Sequence, residues 1–334
     1  MKVLVSGGAG YIGSTTASAL ESAGHVPVVL DSLLTGPRAF VGDRVFYHGD
    51  IADRALLRRI LEEHPDVACT IHMAARIVVP ESVAEPYAYY RDNVAKSLEF
   101  FDELTRLGVH RVVFSSSAAV YASRDGSGVD EGSPLDPASP YARTKHMMEM
   151  ALADMAEATR LRALILRYFN PIGAEPGLRS GVYARVPSHV LGQLTLAAQG
   201  QIDAFEITGT DHPTRDGTGV RDYVHVWDLA RAHVAAVEQF DSALDRTGSP
   251  SAVINLGTGA GVTVRELVSL FEDVVGRRVP TREAPARPGD AVGAFALVDR
   301  ADQLLGWRSE LDVRAGIDSA MRWATCRHQV LGYA

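Results

Sequence analysis

Two residues four apart, Tyr141 and Lys145, carry the sharpest chemical signal in this chain. Positions i and i+4 share one face of a helix. A free phenol has a pKa near ~10 and is a poor base at neutral pH. An ammonium about 4 Å away is worth roughly 4 kcal/mol at an effective dielectric of about 20, or about three pK units. Beside Lys145, the Tyr141 phenol is expected to serve as a general base at neutral pH. The same spacing also fits an exposed helix face, so the reading depends on what surrounds it. Upstream, the hydroxyls of Ser115, Ser116 and Ser117 follow a strand read at residues 111–114. The carboxyl end of a strand is where open α/β sheets place ligands. A polar turn is the competing reading.

The elements that must position these groups begin at the N-terminus. An apolar run at residues 2–6 reads as a strand, and Gly7, Gly10 and Gly13 follow in a Gly-x-x-Gly-x-x-Gly spacing around Tyr11 and Ile12. An amphipathic helix continues to about residue 23, and a second strand at 26–30 ends at Asp31 and Ser32. That order supplies a tight turn, a backbone that meets a pyrophosphate without Cβ atoms, and a helix N-terminus beneath the anion. A carboxylate at Asp31 accepts both adenosine ribose hydroxyls and repels a 2′-phosphate, which favours NAD over NADP. The third strand, 45–49, closes on Asp50 and Ile51, a pair expected at the adenine, with a helix N-cap as the alternative for Asp50 or Asp53.

The fourth strand, 67–73, runs into His72-Met73-Ala74-Ala75, where small residues let backbone pass close to a cofactor. His72 reads as a packed strand-end histidine rather than a catalyst. A long helix over 87–107, the strand at 111–114, the Tyr141 helix to about 159 and a strand at 162–168 complete the alternation. It predicts an α/β protein with a Rossmann-type doubly wound parallel sheet. Residues 1–170 are expected to form a dinucleotide-binding domain, rejoined by a segment near 221–255. Residues 171–334, richer in Gly and Pro, are expected to be a smaller C-terminal α/β domain that binds substrate. Helices are expected over 227–239, 264–275 and 313–328, with a strand at 253–256.

Composition narrows the class. With 334 residues, 46% hydrophobic and 22% charged, the chain suits a soluble globular enzyme. A net charge of -8 without a long basic run excludes nucleic-acid or anionic-membrane binding through a basic surface. The two cysteines, Cys69 and Cys326, follow no metal or disulfide spacing, so no metal site is expected. No apolar stretch is long enough to span a bilayer. No signal peptide precedes the first strand, so a cytoplasmic protein is expected.

Taken together, Gly7-Gly8-Ala9-Gly10-Tyr11-Ile12-Gly13, Phe114-Ser115-Ser116-Ser117-Ala118, Ser139-Pro140-Tyr141 with Lys145, and Arg167-Tyr168-Phe169-Asn170-Pro171 resemble the extended short-chain dehydrogenase/reductases over nearly the full chain. The loop Pro213-Thr214 through Asp216-Gly217-Thr218-Gly219-Val220-Arg221-Asp222-Tyr223 points within them to the UDP-glucose (UDP-galactose) 4-epimerases. The resemblance implies a tightly held NAD that takes a hydride from sugar C4 while Tyr141 removes the 4-hydroxyl proton. It implies that Lys145 lowers the Tyr141 pKa and holds the nicotinamide ribose, and that Ser117 hydrogen-bonds the 4-oxygen. By the same resemblance Met73, Ala74, Ala75, Asp92, Ser115 and Tyr168 join the cofactor site. Asn170, His189, Arg221, Arg287 and Asp290 fall at positions that hold the UDP-sugar. A guanidinium fork suits a diphosphate, although Arg221 also fits an ion pair with Asp222 or Asp228. A homodimer through the helices at Tyr87 and Tyr141 is expected.

The departures from the family pattern are specific. Arg76-Ile77 stands where a cofactor-contacting Lys is usual, Asp92 replaces an Asn, and Ser188-His189 replaces Asn-Asn. Small residues at Val292, Gly293 and Ala294 suggest a roomier pocket, open to an N-acetyl group. Arg179 and Arg185 either meet solvent or face a C6 carboxylate. UDP-N-acetylglucosamine and UDP-glucuronate 4-epimerases are therefore the rival readings. A 4,6-dehydratase is disfavoured because Ser117-Ala118-Ala119 stands where that class carries an acid pair. A non-catalytic NAD-sensing protein is disfavoured by intact Ser117, Tyr141 and Lys145.

Overall fold

A computed structural model of the chain describes residues 1–122, 125–185, 187–286 and 292–333. Seven parallel strands form its central sheet: β1 (Lys2–Ser6), β2 (Val26–Asp31), β3 (Val45–His48), β4 (Val67–His72), β5 (Arg111–Ser117), β7 (Arg162–Tyr168) and β12 (Ser251–Leu256). Their order is β12-β7-β5-β4-β1-β2-β3. The chain winds outward from β1 to β3, then returns to the other side at β4. The order therefore reverses between β1 and β4, and that reversal leaves a crevice beyond the strands' carboxyl ends.

Side chains alternate across the pleat, so Val3 and Val5 of β1 enter one buried layer and Leu4 the other. The first layer packs against α1 (Tyr11–Ser22), α8 (Val226–Glu238), α9 (Phe240–Thr247) and α11 (Asp299–Leu305). The second packs against α2 (Arg54–Glu63), α5 (Lys96–Arg106) and α6 (Pro140–Ala158). Burial on both faces explains why these strands read as continuous apolar runs. The expected architecture is present, and the late strand β12 returns to the sheet edge beside β7.

Two local findings differ from the sequence reading. The helix expected over 87–107 is α4 (Pro86–Tyr90) and α5 joined by a π turn over Arg91–Ala95. Asp92 and Asn93, in that turn, both reach one residue: Asp92 Oδ2 accepts from Arg76 Nε at 2.7 Å, and Asn93 Oδ1 from the Arg76 amide at 2.8 Å. β5 also runs further than its apolar residues, through Ser117, because Ser115, Ser116 and Ser117 register with Leu166, Arg167 and Tyr168 of β7. At α6, Ser139 Oγ accepts from the Ala142 amide at 3.1 Å and Pro140 opens the first turn.

The remaining strands form smaller sheets. β8 (Asn170–Ile172) pairs with β11 (Tyr223–His225), and β9 (Phe205–Thr208) with β14 (Thr281–Ala284). β6 (Gly128–Val129), β10 (Val220–Arg221), β13 (Val262–Thr263) and β15 (Gly293–Ala296) make a four-stranded sheet. A separate core, including Leu191, Leu194, Phe205, Leu267, Phe271 and Ile317, joins α7 (Val190–Ala198), α10 (Val264–Val275) and α12 (Val313–Leu331). Asp222 stitches this half to the main sheet. Its fully buried carboxylate accepts from the Thr258 amide (2.8 Å), Thr258 Oγ1 (2.7 Å), the Gly259 amide (3.3 Å) and the Ala296 amide (3.1 Å). Asp222→Ala is expected to leave three backbone donors unpaired and cost about 3 kcal/mol or more in a denaturant melt. A loss below about 1 kcal/mol, the ordinary net worth of one hydrogen bond, would contradict that role.

Candidate active site

The turn between β1 and α1 is closed so tightly that only glycine fits. Gly7 has φ +76, and a Cβ there would stand 2.6 Å from the Ala74 amide nitrogen at the end of β4. A Cβ on Gly13 would meet the Gly7 carbonyl oxygen at 2.2 Å. The first turn of α1 therefore lies against the switch point with its backbone donors exposed to a ligand. Asp31 is held in place from both sides: Oδ2 accepts from the Ala9 amide (2.9 Å) and Oδ1 from the Leu33 amide (2.8 Å). A carboxylate has lone pairs left for two more donors.

A cavity of about 1590 Å³ opens from this turn. Its wall includes Gly7, Gly10, Tyr11, Ile12, Gly13, Asp31, Ser32, Asp50, Ile51, Met73, Ala74, Ala75, Asp92 and Tyr168, the expected cofactor residues. The same cavity continues to Asn170, His189 and Arg221, on the expected substrate side. The residues fit a dinucleotide: a Cβ-free cradle, a helix N-terminus and a fixed ribose carboxylate lie along one wall. Arg287 and Asp290 lie outside the described residues. Among the described residues no cluster of His, Cys, Asp and Glu suits a metal ion, and no helix is long and apolar enough to cross a membrane.

Ser117, Tyr141 and Lys145 sit beside this cavity's Tyr168 without lining it. Burial pushes the Tyr141 phenol up, and the nearby Ser117 hydroxyl pulls it down. The expected direct pairing of Lys145 with Tyr141 is not what the side chain does. Lys145 Nζ donates to the Ser115 carbonyl at 2.7 Å and lies 5.0 Å from the centre of the Phe114 ring. The carbonyl at the end of β5 is the nearer acceptor, so the ammonium does not offset the phenol's burial. Burial pulls Lys145 itself down to about 8, against the charge of Glu149.

Ser115, expected at the cofactor, does not line the cavity. His233 Nδ1 faces the Leu229 carbonyl at 2.8 Å and so carries the proton, leaving Nε2 to accept from Ser115 Oγ at 3.0 Å. The Ser115 side chain thus points to a buried histidine, and its carbonyl positions Lys145. His72 is buried between Ser6 Oγ (2.7 Å) and Ser97 Oγ (3.0 Å), and burial, then Lys145, lowers it to about 3. It stays neutral and packs the strand end.

The departures explain one another. Arg76 pairs with Asp92 at 2.7 Å and with Glu81 at 2.9 Å, while Lys96 bridges Asp92 and Asp50. Burial opposes the Asp92 charge, but hydrogen bonds from Arg91, Arg76 and Lys96 hold its carboxyl below the usual range. Asp92 is thus the partner that Arg76 requires. His189 caps α7, its Nδ1 accepting from the Gly192 amide at 3.2 Å, and burial, then Arg327, lowers it to about 4. It presents a neutral Nε2–H. Gly293 is small for backbone reasons, with φ +107 and a Cβ that would stand 1.8 Å from the Val220 carbonyl oxygen. The small residues there accommodate β10 beside Arg221 rather than enlarging the cavity. Arg179 is bound to Glu175 at 2.7 Å and Arg185 lies 4.7 Å over the Tyr333 ring; neither lines the cavity. Asn170 Nδ2 donates to the Asp222 carbonyl at 3.3 Å, and Arg221 Nη1 to the Val220 carbonyl at 2.8 Å. Cavity residues the sequence reading passed over include Lys96, Tyr183, Gln193 and Phe205. Of these, Lys96 was signalled by Asp92 one helical turn before it.

A doubly wound sheet with a Cβ-free dinucleotide turn and a Ser, Tyr and Lys set at β5 and α6 defines an NAD-dependent oxidoreductase-type site. Residues 3–257 match the NAD dependent epimerase/dehydratase family, and the chain belongs to it. It is 42% identical over 335 residues to a UDP-glucose 4-epimerase of Azospirillum brasilense, covering 100% of this chain and 94% of that one. It is 42% identical over 327 residues to one of Rhizobium meliloti (strain 1021), covering 98% of each. The structure of a UDP-glucose-4-epimerase from Stenotrophomonas maltophila, with bound NAD and formylated UDP-arabinopyranose, superposes with a TM-score of 0.93 at 36% identity, covering 98% of this chain and 99% of that one.

Gly13→Ala is expected to weaken NAD binding about tenfold or more by calorimetry, while UDP binding persists. Native NAD affinity would show that the turn has room for a Cβ.

Proposed function

We propose that this chain is an NAD-dependent UDP-hexose 4-epimerase, an isomerase that interconverts UDP-glucose and UDP-galactose through a 4-keto sugar. The carrying observation is the placement of buried Tyr141 with Ser117, at the end of β5, beside a cavity that runs from the dinucleotide turn to Asn170 and Arg221. Bound NAD supplies the acceptor, and later the donor, of a hydride at sugar C4. Tyr141 takes the 4-hydroxyl proton and returns it, and Ser117 hydrogen-bonds the 4-oxygen and orients the phenol. Lys145, one helical turn from Tyr141 and held at the Ser115 carbonyl, is the residue that would hold the nicotinamide ribose. Asn170, His189, Arg221, Arg287 and Asp290 retain the UDP while the 4-keto sugar turns its other face. Residues 1–170, with the return through β12, carry the cofactor, and most of 171–334 carries the UDP-sugar.

The positions of Arg179 and Arg185 weigh against a glucuronate carboxylate as the preferred group, and the packing of Gly293 removes one argument for an N-acetyl group. Exposed apolar residues on adjoining helices, Val83 on α3 (Val79–Ala84), Tyr87 on α4, and Met147 and Met150 on α6, support a homodimer through that face.

Purified protein, given UDP-glucose, UDP-galactose, UDP-N-acetylglucosamine and UDP-glucuronate without added cofactor, is expected to convert the first pair fastest. Failure to form any C4 epimer, even with NAD supplied, would overturn the reading. Tyr141→Phe is expected to retain NAD and UDP-sugar binding and to lose about 100-fold or more in kcat. Near-full activity would remove Tyr141 as the base. Sedimentation should give a dimer, and Met150→Glu should weaken it; a monomeric wild type would refute the interface.

A further inference from the structure

Glu149 lies one helical turn beyond Lys145, inside the buried stripe of α6 that holds Tyr141, Lys145, Met148, Leu152 and Ala156. A carboxylate there must find partners. Glu149 finds them on two strands at once. Ser116 Oγ donates to Oε1, Arg167 Nε donates to Oε1 at 2.9 Å, and Arg167 Nη2 donates to Oε2 at 2.6 Å. Both side chains of the ion pair are only 5% exposed.

The neighbours of these partners matter. Ser116 stands between Ser115, whose carbonyl receives Lys145, and Ser117, whose hydroxyl lies near Tyr141. Arg167 precedes Tyr168 at the cavity and reaches the Tyr121 hydroxyl at 3.0 Å. One carboxylate therefore ties the Tyr141 and Lys145 helix to Ser116 of β5 and to Arg167 of β7.

The titratable and charged groups around Lys145 come from four elements. His72 approaches from β4 and is neutral. Arg167 and Tyr168 come from β7, and neutral His233 from α8 acts through Ser115. On α6 itself lie Tyr141, His146 and Glu149. Glu149 is the anion of this set.

We propose that Glu149 is a positioning residue for Lys145: it seats α6 against β5 and β7 and, as the buried anion one helical turn from Lys145 and bonded to the residue after the lysine's own β5 partner, keeps Lys145 protonated at neutral pH. The functional weight of this rests on Lys145 acting with Tyr141. The electrostatic sense is consistent, since burial pulls Lys145 down to about 8 and Glu149 opposes the fall. Removing the anion also unmasks the Arg167 charge. Both changes favour the neutral amine, so Lys145 loses its proton at lower pH and activity falls earlier as pH rises.

The chain has only three lysines, Lys2, Lys96 and Lys145. Carbon-13 NMR of protein labelled at lysine Cε therefore titrates Lys145 directly, assigned with Lys2→Arg and Lys145→Arg. The wild-type midpoint is expected well below the ordinary ~10.4. Glu149→Gln should lower it by about one unit or more, and Glu149→Asp by less in the same direction. The alkaline limb of kcat/KM should move with it. An unchanged midpoint in folded Glu149→Gln overturns the proposal; if that variant does not fold, an unchanged midpoint in Glu149→Asp does so. A purely structural role would lower Tm in both variants and leave the midpoint in place. The titration needs no turnover, so it is read independently of whether Tyr141 proves to be the base.

Discussion

The site depends on a close approach of backbone to backbone. β1 ends in a turn that presses against the end of β4, with the Gly7 Cα near the Ala74 amide and α1 starting against the Gly7 carbonyl. Without side chains in that contact, the turn and the strand end form one wall. Asp31 then reaches back to the Ala9 amide and fixes the wall's far corner. The parallel sheet determines where the crevice lies, since its order reverses at that place. The cavity is thus a consequence of topology and of two missing Cβ atoms, at Gly7 and Gly13, before any specific polar contact is made.

Buried polar groups complete the site in a chain of net charge -8. Asp222, Glu149, His72 and His233 are each buried, and each is met by named donors or acceptors. Arrangements of this kind are costly when half satisfied and rigid when complete. They fall at junctions: Asp222 where the second core meets the sheet, Glu149 where the helix of Tyr141 and Lys145 meets two strands. Rigidity at these junctions lets Ser117, Tyr141 and Tyr168 hold a fixed relation across elements far apart in the chain.

Much of this was legible in the residues. The order of strand, glycine turn, helix and strand, the end of β2 at Asp31, and the α6 helix from Ser139 follow from local patterns that tertiary packing reinforces. What was not legible depends on partners distant in sequence. The extension of β5 through its serines needs β7 beside it, because hydroxyls carry no strand signal of their own. Asp92 and Arg76 look like separate departures until a turn of helix brings them to 2.7 Å. Gly293 reads as spare room, yet a strand backbone fills the space. Glu149 drew no reading of its own, although its place in the stripe of Met148 and Leu152, four residues after Lys145, was a sign of burial. The Tyr141–Lys145 spacing puts both on one face, but the choice of the Ser115 carbonyl as the lysine's partner belongs to the fold.

The π turn at Arg91–Ala95 has a consequence for how this chain tolerates insertions and deletions. A π turn is an α-helix with one residue to spare. Deleting one residue there would restore regular α-helix and leave α4 and α5 in nearly the same rotational relation, because the wider turn spends its extra residue on one turn of the same helix. Tyr89, fully buried and bonded through its hydroxyl to the Val78 carbonyl at 2.7 Å, would keep its pocket. The loss would be local, in the turn from which Asp92 and Asn93 reach Arg76. A change of one residue in the length of this helix is therefore absorbed at the turn, whereas the same change within α5 would rotate everything before it.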